Sequence, residues 1–79
     1  MKARIDVMLK EGVLDPQGKA IGHALAGLGF EGVDDVRVGK VFFLELTETD
    51  PATATKKAED MAEKILANMV IEEFKVTIL

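Results

Sequence analysis

Apolar and polar residues alternate most regularly over residues 36–47. There Val36, Val38, Phe42, Leu44 and Leu46 fall on one side of an extended chain, and Arg37, Gly39, Val41, Phe43, Glu45 and Thr47 on the other. A two-residue period of that length predicts a long strand at the centre of the sheet. The interior Gly39 predicts a bulge or bend within it. The second side is mixed, because Val41 and Phe43 are apolar where a one-sided sheet shows polar residues to water.

The same period appears towards both ends of the chain. Residues 4–10 set Ile5, Val7 and Leu9 against Arg4, Asp6, Met8 and Lys10, and from Glu72 onward Phe74, Val76 and Ile78 alternate with Glu73, Lys75 and Thr77. Between the strands the period lengthens. Asp15 is placed as an N-cap with Pro16 at the first helical position. The helix it opens runs to about Leu28, with Ile21, Ala24, Leu25 and Leu28 as its apolar stripe and Gly29 as its stop. Asp50 and Pro51 repeat that opening. The second helix runs to a C-cap at Asn68, with Ala54, Ala58, Met61, Ala62, Ile65, Leu66 and Met69 on one face and Asp60 and Lys64 spaced as an ion pair. The order strand, helix, long bent strand, helix, strand predicts an α+β two-layer sandwich with both helices on one face of a small sheet. Gly18 and Gly22, one turn apart beside the first stripe, have two readings: glycine tolerated near a helix start, or close approach of another backbone.

The 79 residues are expected to form one domain, residues 1–79, near the size at which a single core is marginal. With no cysteine, disulfides and thiolate metal sites are excluded as supports, and oligomerisation is the remaining common device. Met8, Val41 and Phe43 supply an apolar centre for self-association on the back of the sheet, as a dimer or a tetramer. A net charge of −4 and a pI near 4.9 argue against a nucleic-acid partner. No stretch approaches the length of a membrane span, and residues 1–10 alternate apolar with charged residues, unlike a secretory leader. A soluble, cytoplasmic protein is the expectation.

No catalytic pattern emerges. His23 falls opposite the first helix's apolar stripe, with no second ligand named beside it. Glu45, Glu48, Asp50 and Glu59 read as strand-end and helix-surface charges. Gly27, Gly29 and Gly32 follow a helix and lack the lysine and hydroxyl of a phosphate loop. Phe42 and Phe43 point to opposite faces, so they do not form a base-stacking pair.

Three stretches carry a likeness to a known family. Val13-Leu14-Asp15-Pro16-Gln17-Gly18 leading into His23-Ala24-Leu25, then Asp35-Val36-Arg37-Val38-Gly39-Lys40, then Leu66-Ala67-Asn68-Met69-Val70-Ile71-Glu72 resemble PurS, the small subunit of bacterial and archaeal phosphoribosylformylglycinamidine (FGAM) synthase. The resemblance covers nearly the whole chain and implies a ferredoxin-like, PurS-like fold. It also implies a non-catalytic subunit in de novo purine biosynthesis, bridging a glutaminase and a large synthetase during ATP- and glutamine-dependent conversion of formylglycinamide ribonucleotide (FGAR) to FGAM. No cofactor is then expected on this chain, ATP and Mg belonging to the synthetase subunit. The partner-binding candidates are Asp15, Gln17 and Gly18 at the first helix start, Arg37, Gly39 and Lys40 in the long strand, and Asn68 and Glu72 at the last turn. The rival reading is a homo-oligomeric regulatory domain that binds a metabolite along the Gly18–Gly22 strip.

Overall fold

The computed structural model describes residues 1–79. Strand β1 (Lys2–Leu9) is followed by helix α1 (Pro16–Gly27), strand β2 (Gly39–Glu45), helix α2 (Pro51–Met61), a π-helical turn (Ala62–Leu66) and strand β3 (Glu72–Ile78). The sheet order is β2-β1-β3, with both pairings antiparallel. The α+β class and the order of elements are those the sequence predicts.

The centre of the sheet is β1, and the strand expected there is an edge. Ala3, Ile5 and Val7 are fully buried between Phe42 and Leu44 on one side and Phe74, Val76 and Ile78 on the other. The long alternating stretch also starts later than its pattern suggests. Residues 36–38 lie outside the sheet because β1 ends at Leu9, and the last β1–β2 pair is Met8 with Gly39. The register is continuous through that pair, so Gly39 opens the strand and makes no bulge. Its lack of a side chain has another cause: a Cβ there would meet the Met8 thioether and approach the Val7 carbonyl.

Helix α2 covers β1 and β3 through small residues. Ala54, Ala58 and Ala62 are fully buried, and alanine lets the helix axis sit close to Ile5 and Val7. Its end departs from the expected α-helix. Ala67 N–H donates to the Ala62 carbonyl five residues back, and the inserted residue rotates Ile65 outward, 82% exposed, while Ala67 turns in. Asp60 and Lys64 consequently form no ion pair. Asn68 is not the C-cap, which falls at Ala67; it belongs to the following turn.

Helix α1 begins as predicted, with Asp15 as N-cap and Pro16 first. It ends in a Schellman motif, Gly29 N–H on the Ala26 carbonyl and Phe30 N–H on that of Leu25, with Gly29 at φ +89°. It does not lie on the sheet as expected. It packs against residues 33–36 instead, and together they project from the sheet as an arm. The molecule measures 49 × 24 × 15 Å with a radius of gyration of 16.0 Å, against about 12 Å for a compact chain of this length.

Candidate functional site

The root of the arm forms a cleft of about 440 Å³ at one end of the sheet. Val7 and Leu9 of β1 form its floor, Gly39 and Lys40 of β2 and Glu72 of β3 its sides, and Asp15, Gln17 and Val38 its outer wall. Five of the eight predicted partner residues therefore meet: Asp15, Gln17, Gly39, Lys40 and Glu72. Val7, Leu9, Lys40 and Glu72 share the sheet face that α2 covers, so α1 starts on that same side.

Asp15 holds this end together. Its Oδ1 accepts from Gly18 N–H at 2.8 Å and its Oδ2 from Val38 N–H at 2.7 Å, so one carboxylate caps α1 and ties it to the chain entering β2. The residue is 5% exposed. Those two N–H donors, with the Arg37 guanidinium nearby, hold its carboxyl below the usual range. Arg37 faces away from the cleft. Its guanidinium donates to the Val13 carbonyl at 3.2 Å and to the Lys10 carbonyl at 3.3 Å, bracing the β1–α1 connection.

Lys40 and Glu72 reach towards each other across β1, Nζ to Oε2 at 3.7 Å. Lys40 also sits 5.8 Å from the centre of the Phe42 ring. Asn68 stays outside the cleft but orients it: its N–H donates to Glu72 Oε1 at 2.7 Å, and its own Oδ1 accepts from Val70 N–H. Gly18 is buried below Asp15, and a Cβ there would run into the Val36 carbonyl, while Gly22 faces the Val36 side chain. Close backbone approach is thus the reason for Gly18. Two braces escaped the sequence: Val38 as the second partner of Asp15, and Lys10, whose Nζ donates to the Met69 carbonyl at 2.8 Å. Both join residues far apart in the chain, which local spacing does not reveal.

Beside the cleft, Gly18, Gly22 and His23 border a shallow groove against residues 33–36. The glycine strip offered to a metabolite is in part filled by the chain's own Val36. No three His, Cys, Asp or Glu side chains converge as metal ligands. Of the four acids singled out from sequence, three are engaged locally and Glu59 makes no ion pair. Glu48 pairs with Lys57 at 3.0 Å, Asp50 accepts from the Thr53 hydroxyl and N–H, and Glu45 meets Lys2 at 3.5 Å. On the opposite face, Val41 and Phe43 lie exposed beside the Arg4–Asp6 ion pair, with Met8 at the cleft end.

Residues 2–79 match the PurS family, phosphoribosylformylglycinamidine (FGAM) synthase. The chain belongs to the PurS family. It is 45% identical over 78 residues to FGAM synthase subunit PurS of Synechocystis, covering 96% of this chain and 78% of that protein. To PurS of Bacillus subtilis it is 45% identical over 75 residues, 94% and 87% of the two chains. A crystal structure of Methanocaldococcus jannaschii PurS, described as one of the subunits of formylglycinamide ribonucleotide amidotransferase in the purine biosynthetic pathway, superposes with a TM-score of 0.87. It shares 36% identity over 96% of this chain and 92% of that one. A chain in the structure of PurLQS from Thermotoga maritima gives 0.88 at 32% identity, over 99% and 95%.

Proposed function

We propose that this PurS-family chain is a non-catalytic subunit of FGAM synthase. Its part is to hold a glutaminase and an ATP-dependent synthetase together while ammonia from glutamine converts FGAR to FGAM. The observation that carries this is the likeness, over 99% of the chain, to a chain within the Thermotoga PurLQS assembly. ATP and Mg belong to the synthetase in this reading. Ammonia passing between two sites is lost to water unless the sites are held in a fixed relation, which a rigid wedge supplies without reacting.

The cleft at the arm root is the contact surface for those partners. Lys40 and Gln17 offer donors at its rim, whereas Asp15, Arg37 and Asn68 act from behind by holding α1, the β1–α1 connection and Glu72. The Met8, Val41 and Phe43 patch is a separate contact between copies.

Reconstitution tests the reading. With synthetase and glutaminase present, glutamine-driven FGAM formation requires this chain, while synthesis from added ammonia depends on it less. Equal glutamine-driven rates with and without the chain would refute it. Lys40→Glu reverses a rim charge on an exposed side chain, and co-elution with the synthetase weakens while the circular dichroism spectrum is unchanged.

A further inference from the structure

The side chains of the cleft at the arm root have more free donors than free acceptors. Asp15 is closed to any visitor, since both of its oxygens already accept main-chain N–H groups and the residue is buried. Glu72 has one oxygen taken by Asn68 N–H at 2.7 Å, and its side chain is only 16% exposed. Its other oxygen faces Lys40 at 3.7 Å, too far for a hydrogen bond. Among the lysines only Lys10 and Lys57 donate hydrogen bonds within the chain, so Lys40 is held by nothing closer than that charge and the Phe42 ring. The exposed Gln17 amide also has no partner. An ammonium and a carboxamide thus face one opening with their donors unfilled, above the apolar floor of Val7 and Leu9.

Donors above an apolar floor fit a carboxylate carried on an apolar segment. A free carboxylate ion fits less well, because an ion pair with a half-exposed lysine is weak in water. A protein segment that lies over Leu9 excludes that water and strengthens the pair. A lysine or arginine from outside would meet Lys40 at the mouth and find one carboxylate oxygen, already facing Lys40. We infer, resting on the subunit role proposed above, that the cleft takes a glutamate or aspartate side chain from a partner subunit of FGAM synthase. The Lys40 ammonium and the Gln17 amide donate to the incoming carboxylate, and the residues beside it in the segment cover Leu9. Glu72 keeps its bond from Asn68 N–H and yields its share of Lys40. The loose pair of the isolated chain holds the ammonium at the mouth without filling its donors.

Two variants of opposite sign test this, with Kd measured by calorimetric titration of the full chain against the synthetase and against the glutaminase. Lys40→Met keeps the apolar stem and removes the charge. Kd for the subunit that supplies the carboxylate then rises at least about tenfold at low salt, and the loss shrinks as salt rises. Glu72→Gln keeps an acceptor for Asn68 N–H, frees Lys40 and removes a like charge, so Kd for the same subunit falls. Neither variant removes a hydrogen bond of the chain, and both keep the wild-type circular dichroism spectrum. Reversed signs would make the occupant a lysine or arginine and overturn the inference, and unchanged Kd in both variants would take the cleft out of the interface. In either case wild-type binding and glutamine-driven synthesis would still stand, so the subunit role outlives the loss. A wild-type chain that binds neither subunit would refute that role and the inference together. Excess free glutamate at matched ionic strength leaves the wild-type Kd unchanged; competition there would identify a free carboxylate as the occupant and overturn the docking of a segment.

Discussion

Asp15 and Gly18 show how much a single position settles at the arm root. Asp15 reads as a helix cap from sequence, since an acceptor before Pro16 meets the free N–H groups of the first turn. That its second oxygen reaches Val38 was not legible, because no local spacing links them. The pH consequence has a definite sign. Its folded pKa is lowered from an ordinary value of 3.8, first by the Val38 N–H and then by the Gly18 N–H. The stability this supplies is therefore complete above that value and is lost as the pH falls through the lowered one. Glu48, held down first by Lys57, and Asp50, held down first by the Thr53 hydroxyl, act in the same direction. Asp15→Asn keeps the size but cannot accept as two charged oxygens. Its urea midpoint falls below wild type at neutral pH, and the gap narrows in acid as the wild-type carboxyl protonates; a constant gap across that range would refute the linkage. Gly18→Ala pushes a Cβ into the Val36 carbonyl, a backbone atom, and costs about 1–3 kcal/mol in urea unfolding. Gly39→Ala costs less, because its nearest neighbour is the flexible end of Met8.

The strands and helix starts were legible because each rests on a local signal: alternation for β1 and β3, an Asp-Pro opening for α1 and α2. What failed was placement. The 36–47 stretch has the longest alternation, yet pairing needs a neighbour, and β1 runs out at Leu9. Residues 36–38 keep the pattern of a strand without its partner, which is why pattern alone put this element at the centre. The apolar stripe of α1 was equally plain in sequence, but a stripe says only that something covers the helix, not that the same chain does. At the end of α2, the π turn changes the facing of side chains by one residue, and no glycine or proline announces it. Ile65 and Ala62, both assigned to the buried face, now behave differently. Ile65→Lys changes stability by less than about 0.5 kcal/mol, whereas Ala62→Leu, placed against the sheet with no spare room, costs about 1–3 kcal/mol. Equal effects in denaturant titrations would argue for an uninterrupted α-helix.

Only nine of 79 residues are buried in the single chain, and four of them are alanines of α2 and the turn after it. Ile5 and Val7 are the largest side chains completely enclosed. So small a core leaves little to offset the conformational entropy of the arm, whose residues 31–37 gain no internal hydrogen bonds for being ordered. In the reading in which copies meet through the Met8, Val41 and Phe43 patch, association supplies the missing stabilisation and couples folding to concentration by mass action. Thermal unfolding of the wild-type chain therefore shifts upward as protein concentration rises, by several degrees over a hundredfold range if folded monomer is scarce. Differential scanning calorimetry across that range separates the alternatives. A wild-type transition that does not move with concentration would mean that α2 and the sheet suffice alone.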